Sequence, residues 1–577
     1  MVGVLFVAFP LLFLSTTTDA FVLPKQLLLI ALTAVAVVMY GLRTVFEGKL
    51  KLRTSPFDLP ILLFVVVAFL SAILSANRFD ALIAFTPLLF AVLLYFVIVN
   101  SARSEKQLLF LLSALTIGAA LSALLTTLSF LKIYPLPFAY TQVQGFTTFG
   151  SLLDQAIYFA VVLPIAGYFG YNYINTPKHN QSASLAAAAE GATPKKSSRK
   201  SLALFAFSFI FIAIGLGLTV FMLMTSQKPL ILPFDTGLQT AFAAISQSSS
   251  NVFKSLLLGS GFGTYLTDFT QFKPTAFNAN ETLWAFTFFR SSSFVLELMA
   301  TTGLLGLATF GFILFKVLRQ KNFFLPLLLV SLAAILLPFS FTLIALFFIL
   351  LALFAIVVIH NNPGKFSESE MHLVGIKRGL LAVAPENERV AGESGRKFSR
   401  ILPVLFVLIL VALLAFPLYF VARFAMSDLI FQRSLVAAAQ NDGIKTYELQ
   451  AASINVFPYR DIYYRSFSQT NLALANALAT NQPKDSSPSA QIQQNILTLI
   501  QQSINAGRTA VTISPVTSFN WNNLSSIYRS LIGFGQNADR FTILTLNQAV
   551  ALDPNNPQQY VDLGGVYYQL GQFDEAI

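Results

Sequence analysis

The chain has 577 residues, of which 55% are hydrophobic and only 11% are charged. Average soluble domains contain about a quarter charged residues, so this composition excludes an ordinary soluble protein. The net charge is +11, but Lys and Arg concentrate in short connections between apolar runs. That pattern is typical of membrane proteins and argues against a nucleic-acid partner. Cysteine is absent, which excludes disulfides, thiolate chemistry and Cys-ligated metals.

Long apolar runs occupy most of the chain up to residue 423. A helix needs about 20 residues to cross the ~30 Å hydrocarbon core of a bilayer, and eleven runs reach or approach that length. They cover residues 1–15, 24–42, 57–76, 81–99, 107–132, 152–172, 201–225, 293–318, 323–338, 340–359 and 401–423. Pro338 and Ser340 predict a hairpin between two of them. Residues 1–15 lack the basic start of a cleaved signal peptide and are interpreted as a span.

The basic residues predict how these spans are oriented. Every second connection is rich in Lys and Arg: 43–56, 100–106, 173–200, 316–322 and 360–400. The positive-inside rule places such connections in the cytoplasm. We therefore expect a multi-pass protein of the cytoplasmic (inner) membrane, with the long segment 226–292 and everything after Arg423 on the outer side. The connection 173–200 is interpreted as a flexible linker, and 360–400 as a polar, mobile loop.

Residues 424–577 carry a repeated pattern in which an aromatic residue follows a proline by six positions. The pairs are Pro458 with Tyr464, Pro515 with Trp521, and Pro554 with Tyr560. The last unit continues with Leu563, Gly564, Tyr567 and Ala576, which matches the tetratricopeptide pattern, and Trp521 with Leu524 and Tyr528 repeats it. Unrelated amphipathic helices are the alternative interpretation.

The repeat pattern predicts a helical tail outside the membrane domain of residues 1–423. We expect antiparallel helix pairs in which the aromatic and Leu positions of the first helix are buried together. The sequence ends at Ile577, where a second helix of a pair should begin, so we expect the repeat domain to be truncated there. The fold class predicted is all-α: a polytopic membrane bundle of about 11 spans followed by an external helical-repeat tail.

Several kinds of chemistry are disfavoured. The histidines, His179, His360 and His372, all fall in connections predicted to be cytoplasmic, and no metal-ligand spacing occurs. The glycine cluster at 259–263 lacks the preceding strand of a dinucleotide site, so it is interpreted as a turn before Tyr265. No cofactor is predicted. The span interiors carry almost no charge, which weakens an ion-coupled transporter interpretation.

The external segment 226–292 mixes cations with aromatic residues. Its cations are Lys228, Lys254, Lys273 and Arg290, and its rings include Tyr265, Trp284 and Phe288. Aromatic residues at a membrane surface commonly form an interfacial belt. The same mixture also suits a lipid-linked pyrophosphate that carries a sugar, because cations neutralise phosphate and rings stack on sugar faces.

Three short motifs resemble the O-antigen ligase and polymerase-like family of membrane glycosyltransferases, in its bacterial variants with C-terminal tetratricopeptide repeats. They are the opening Phe21-Val-Leu-Pro-Lys25-Gln-Leu, the turn Leu258-Gly-Ser-Gly261-Phe-Gly263-Thr-Tyr265, and Leu296-Glu297-Leu298 leading to Thr302-Gly303-Leu304-Leu305-Gly306. The resemblance implies transfer of a glycan from a polyprenyl-pyrophosphate carrier to an acceptor outside the cytoplasmic membrane, by ligation or polymerisation.

The resemblance also directs attention to particular side chains. Members of that family carry an arginine and a histidine before the Gly-rich span; this chain has Arg290 there, followed by three serines, and lacks the histidine. The candidate catalytic residues are Arg290, Glu281 and Glu297, and the candidate substrate-binding residues are Lys228, Lys273, Trp284 and Tyr265. Structural salt bridges are the alternative at each charged position. A scaffold that recruits envelope proteins through its repeats, and an exporter of polysaccharide or lipid, are the alternative functions.

Overall fold

The computed structural model describes residues 1–47, 49–175, 197–225, 229–247, 251–320, 324–362, 366, 368–375, 381–384, 401–481 and 489–577. Within these ranges the chain is almost entirely helical, with one small sheet. Most of the predicted linker 173–200 lies outside the described residues, as do His179 and Lys228.

The membrane part begins with seven helices. They are α1 (Val2–Ala8), α2 (Leu23–Glu47), α3 (Asp58–Ile73), α4 (Arg78–Ser101), α5 (Glu105–Phe130), α6 (Leu152–Asn175) and α7 (Ser197–Thr225). After the external segment come α11 (Phe294–Leu318), α12 (Leu325–Leu336), α13 (Phe341–Asn361) and α14 (Ile401–Ala439). Seven of the described helices are long and apolar enough to cross a membrane, which confirms the prediction of a helical membrane protein.

The remaining predicted spans correspond to other helices. Asp58–Ile73 and Leu325–Leu336 are apolar but have fewer than 18 residues, whereas α6 has 24 residues and is apolar over Leu152–Tyr168. The predicted span 1–15 forms only the seven-residue helix α1, which rises about 10 Å at 1.5 Å per residue and cannot cross a bilayer alone. This helix packs closely on α5, where a Cβ added to Gly118 would lie 2.6 Å from the carbonyl oxygen of Phe6.

The core of the bundle surrounds α13. Of the most apolar stretch of this helix, 83% is buried, against 11% for α14, so α13 is the central helix and α14 lies at the periphery. Phe and Leu side chains from α3, α4, α11 and α13 form one continuous apolar cluster. Ring-to-ring contacts, such as the tilted pair of Phe64 and Phe310, account for the use of phenylalanine in this core.

The external segment is a folded cap with a core of its own. It contains α8 (Phe234–Ser246), α9 (Val252–Leu258), α10 (Tyr265–Phe272) and a short 3₁₀ helix, Thr275–Ala279. Tyr265, Phe269 and Phe277 are buried among residues of α8 and of the start of α11. We call residues 229–292 of this segment the cap.

Two of the glycine-rich motifs meet where the cap contacts the bundle. Helix α11 is broken at Gly303, whose φ is +66°, and a Cβ there would lie 2.5 Å from the backbone of Leu257. The break frees carbonyl groups of α11, and two are bound by the glycine turn: Ser260 N–H donates to Ala300 and Gly261 N–H to Thr301, at 3.2 and 2.9 Å. Only glycine fits these conformations and this close approach.

A small antiparallel sheet joins two connections that were predicted to share one side of the membrane. Its strands are β1 (Lys49–Arg53), β2 (Glu368–Gly375) and β3 (Leu381–Ala384), in that order. In the register, Lys49 pairs with His372 and Arg53 with Glu368. Regular structure therefore occupies part of the connection 360–400, which the sequence had been expected to leave as a mobile loop.

The tail is continuous with the last membrane helix. Helix α14 has 39 residues, a length of about 58 Å at 1.5 Å per residue, so it crosses the predicted boundary at residue 423 without a break. The following helices are α15 (Gly443–Val456), α16 (Asp461–Thr480), α17 (Ala490–Ile513), α18 (Ser518–Ser530), α19 (Ala538–Leu552), α20 (Pro557–Gln569) and α21 (Phe573–Ala576). They pack in sequential pairs, most extensively α16 with α17 and α18 with α19.

The aromatic positions of the tail are less buried than the sequence pattern predicts. Leu524 and Tyr528 are buried, but Trp521 is half-buried and Tyr560 is 52% exposed. The reason is a hydrogen bond that recurs at the same offset. The Trp521 Nε1–H donates to the carbonyl of Pro515 at 2.7 Å, and the Tyr560 hydroxyl donates to that of Pro554 at 2.9 Å. The polar edge of each ring closes its proline turn, so the ring stays near the surface.

Candidate functional site

A cavity of about 730 Å³ lies between the cap and the bundle. Its walls come from the start of α6, the end of α7 and both ends of the cap, and they include Asp19, residues 150–154, Leu223, residues 229–232, residues 286–291 and Pro338. Among the described residues, its charged lining consists of Asp19, Asp154 and Arg290, while much of the remaining wall is Leu, Ile and Phe. The site is thus largely apolar with a few convergent charges, as ligand pockets commonly are.

Arg290 enters the cavity from the last residues of the cap, just before α11. Its side chain is half-buried, and within the described part of the chain its guanidinium makes no hydrogen bond or direct ion pair. It acts through space on the carboxylates of Asp154 and Glu297, two of the anionic partners expected from the sequence. Its planar array of donors is therefore available to a ligand.

Asp19, which also lines the cavity, has a structural role. Its Oδ1 accepts hydrogen bonds from the backbone N–H groups of Phe21 and Val22, at 2.9 and 2.8 Å, at the entrance of α2. Asp154 differs because it stands in the first turn of α6, where its backbone N–H is bound by the hydroxyl of Ser151 at 3.3 Å. Its carboxylate interacts with Arg290, with the hydroxyl and backbone N–H of Ser340 at the start of α13, and with Lys25.

Lys25 explains why the opening motif needs a lysine. The side chain is completely buried, and its ammonium donates to the carbonyl oxygens of Leu12, Phe21 and Thr148 at 2.9, 3.0 and 2.6 Å. These bonds use all three protons of the ammonium group. Lys25 therefore ties the segment after α1, the start of α2 and the segment before α6 together, which fixes one wall of the cavity.

Glu297 and Tyr265 lie together behind the cavity, not on its surface. The Glu297 Oε2 is buried and has no hydrogen-bond partner among the described residues. The Tyr265 hydroxyl faces Thr240 and Ser291, and its burial raises the pKa of the phenol above the ordinary value. In the described region none of these three hydroxyls has a partner of good geometry. The structure thus places both predicted site residues in a buried polar cluster next to Arg290.

Lys273 is held by the tail. Its ammonium forms an ion pair with Asp553 at 3.2 Å, and the two side chains are only 6% and 4% exposed. Two backbone-directed hydrogen bonds flank the pair: the Asn555 side chain donates to the carbonyl of Lys273 at 2.7 Å, and the Asn278 side chain donates to that of Asn555 at 2.8 Å. Burial raises the pKa of the Asp553 carboxyl, and Lys273 opposes that rise.

The other predicted site residues do not join the cavity. Glu281 is exposed, and Trp284 is 45% exposed at the surface of the cap; neither contributes to the cavity wall. Lys228 lies outside the described residues, although the next residue, Pro229, lines the cavity. The structure therefore brings Arg290 to the cavity, with Glu297 and Tyr265 behind it.

The three proline turns of the tail all contact membrane-domain connections, and we call this set of contacts the docking face. Tyr459 stacks on Phe79 with ring centroids 4.6 Å apart. The turn 514–517 is bound through Asn77 and Asp80, each at 3.2 Å from a tail hydroxyl, and the turn 553–556 through Lys273. The connections involved are ones predicted to lie on the same side as the tail, so the contacts agree with the predicted alternation.

Sequence reasoning missed Asp154 and Asp19 as cavity residues. Nothing in the local sequence pattern sets Asp154 apart from an ordinary acidic residue at a helix N-terminus. Its position could have identified it, because it is a carboxylate at the start of an apolar run on the side of the membrane that was predicted to hold the cap.

The fold and the apolar helices define the class of protein: an α-helical membrane protein with a folded cap and a docked helical tail. Comparison with models of protein families finds none that matches this chain, and comparison with curated proteins finds no significant match.

Proposed function

We propose that this protein transfers a glycan from a polyprenyl-pyrophosphate carrier to an acceptor in the cavity between the cap and the bundle. The observation that carries the proposal is the Arg290 guanidinium, which faces a cavity of about 730 Å³ without a direct protein partner in the described region. An arginine beside apolar surface is costly unless an anion joins it. A pyrophosphate supplies that anion and matches the guanidinium fork.

The wall around Arg290 suits the rest of such a donor. Leu230, Ile231 and Leu232 provide apolar surface on one side, and Phe286 and Phe288 provide rings on the other. Apolar surface accommodates the polyprenyl chain, and rings stack on sugar faces. During transfer, charge develops on the departing pyrophosphate, and a preorganised cation stabilises that charge. Arg290 has this role in the proposal.

The resemblance to O-antigen ligase and polymerase-like enzymes adds support from two of its motifs. Lys25 of the opening motif secures a cavity wall, and the glycine turn packs into the break of α11, the helix that follows Arg290. In the proposal the protein resides in the cytoplasmic membrane, with cap, cavity and tail outside the cytoplasm. The tail is a tetratricopeptide-type domain whose free surface receives the acceptor or an envelope protein.

A transfer assay with purified full-length protein tests the proposal. Lipid-linked oligosaccharide and a candidate acceptor are supplied in detergent or nanodiscs, and product is followed by mass. Arg290→Ala should lower transfer by about 100-fold or more, the effect of removing one charge-stabilising donor. Arg290→Lys should retain part of the activity, because it keeps the charge but loses the fork.

The matched control is Arg78→Ala, which removes an exposed arginine at the start of α4, outside the cavity. It should transfer like the wild type. Equal transfer by well-folded Arg290→Ala would contradict the proposal. A wild-type protein that binds no lipid-linked pyrophosphate, yet captures an envelope protein through its tail, would favour the scaffold.

A further inference from the structure

The two carboxylates that line the cavity differ in the groups that bind them. Its acidic lining within the described residues is Asp19 and Asp154. Asp19 Oδ1 is bound by two backbone N–H groups, so it caps the start of α2. Glu297 stands behind the wall, and Glu281 is exposed on the outer surface of the cap. Asp154 remains as the carboxylate that shares the cavity with Arg290.

Asp154 is also held in a defined place. It lies in the first turn of α6, after Gly150 and Ser151, and its side chain is almost fully buried. Its carboxylate interacts with the hydroxyl and backbone N–H of Ser340 and with two cations, Arg290 and the Lys25 ammonium, which is fixed by three carbonyl oxygens. A rigid helix start and two cations orient the carboxylate relative to the group that would bind the donor phosphate.

We infer that Asp154 is the general base that activates the acceptor, and that the acceptor presents a hydroxyl group. This inference rests on the proposed function. The family pattern would place a histidine near the Gly-rich span, and this chain has Ser291, Ser292 and Ser293 there. Serine hydroxyls cannot take a proton near neutral pH, so another base is needed. Asp154 supplies one from a different helix.

The acceptor O–H gives its proton to the Asp154 carboxylate while its oxygen forms a bond to the anomeric carbon of the donor sugar. The bond between that carbon and the pyrophosphate oxygen breaks, and its electron pair leaves with the pyrophosphate, which Arg290 stabilises. The proton on Asp154 then returns to solvent. No oxidant, metal or further reactant takes part.

Asp154→Asn tests the role because it keeps the shape of the side chain and removes the base. Transfer to a hydroxyl acceptor should fall by about 100-fold or more, while binding of polyprenyl pyrophosphate stays within about twofold of the wild-type value. The decline of the wild-type rate toward acid pH should disappear in the variant. Asp235→Asn, at an exposed cap residue outside the cavity, is the control and should behave like the wild type.

Azide separates loss of the base from general damage. It needs no deprotonation, so Asp154→Asn should still convert donor and azide to a glycosyl azide with release of polyprenyl pyrophosphate at a rate near that of the wild type. Unchanged transfer to hydroxyl acceptors by Asp154→Asn overturns the inference, and so does joint loss of transfer, azide reaction and donor binding. A wild-type protein inactive with both acceptors overturns the proposed function itself, whatever the variant does.

Discussion

Two regions on the same side of the bundle differ in whether their cation has a direct protein partner. On the docking face, Lys273 is buried against Asp553 and flanked by two asparagine hydrogen bonds. In the cavity, Arg290 faces open volume and meets Asp154 and Glu297 only through space. Both cations belong to the same aromatic-rich cap, and both were predicted to be site residues, Arg290 in catalysis and Lys273 in substrate binding. Contacts with remote parts of the chain therefore decide which cation is available to bind a ligand.

The largest expected effect is the loss of the buried pair on the docking face. Lys273→Ala leaves Asp553 buried without its counter-ion, which typically costs about 3–5 kcal/mol. We expect the tail to separate from the cap, and the measurement is protease sensitivity of the tail together with the denaturation midpoint. Transfer should fall less than in Arg290→Ala, because the cavity keeps its own charges.

A double variant tests separately whether the loss of stability comes from the unpaired buried charge. Lys273→Met with Asp553→Leu removes both charges, and replacing a buried pair by apolar groups is often close to neutral. The double variant should therefore be more stable than either single variant. If Lys273→Ala leaves docking and stability at wild-type values, the pair does not hold the tail and the comparison with Arg290 fails.

The second effect concerns ligand binding in the cavity. A ligand that binds only the folded state stabilises it by about 2.7 kcal/mol at 100 times its Kd. Polyprenyl pyrophosphate should therefore raise the denaturation midpoint of the wild type, and should raise it much less in Arg290→Ala. Without ligand, the two proteins should have similar stability, since Arg290 makes no direct bond within the described region.

Polyprenyl monophosphate and the uncharged polyprenol serve as ligand controls. They should stabilise the wild type less than the pyrophosphate does. An Arg290→Ala protein that unfolds far more readily than the wild type before ligand is added would instead give Arg290 the structural role that Lys273 has.

The sequence predicts the membrane part of the fold well, because hydropathy measures directly what a bilayer demands of a helix. Seven predicted spans correspond to long apolar helices. The end of the membrane domain was harder to predict from the sequence. The apolar run 401–423 stops, but helix α14 continues to Ala439, since its later residues favour helix and pack against α15. Helix formation does not end where hydrophobicity ends.

The candidate site was only partly predictable, for a different physical reason. Arg290 stands out locally, as a lone cation where the chain re-enters an apolar run. The pairing of Lys273 with Asp553, and the position of Asp154 across the cavity, depend on parts of the chain far apart in sequence. At Trp521 and Tyr560 the proline offset corresponds to a hydrogen bond from the ring to the proline carbonyl, which composition cannot show.

A third effect, on pH dependence, comes from the buried interior of the cap. Asp268 is buried, and this burial raises the pKa of its carboxyl well above the ordinary value, although the hydrogen bond from Ser260 at 2.7 Å opposes the rise. The folded protein therefore keeps a proton that the unfolded chain loses near pH 4. Stability should fall as pH rises above about 4, until it passes the folded-state pKa, by as much as about 1.4 kcal/mol per pH unit.

Asp268→Asn removes this titration while keeping an oxygen that can accept from Ser260. The difference in stability between variant and wild type should grow in favour of the variant from pH 5 to pH 7. Asp235→Asn, at an exposed position, should follow the wild-type curve. Parallel curves for Asp268→Asn and the wild type would mean that Asp268 is not protonated in the folded cap.

The smallest effect belongs to the proline turns of the tail. Trp521→Phe keeps an aromatic ring but removes the Nε1–H that donates to Pro515, and Tyr560→Phe removes the hydroxyl that donates to Pro554. A hydrogen bond of this kind contributes about 0.5–1.5 kcal/mol, and the exposure of the Tyr560 ring places its contribution at the low end. Trp521→Phe should cost more, because the Trp521 ring is half-buried. Hydrogen exchange of the amides in residues 514–520 and 553–559 gives the two effects separately. If either substitution leaves amide protection in its turn equal to that of the wild type, the bond from the ring to the proline carbonyl does not organise the turn. The docking contacts alone would then hold the tail in place.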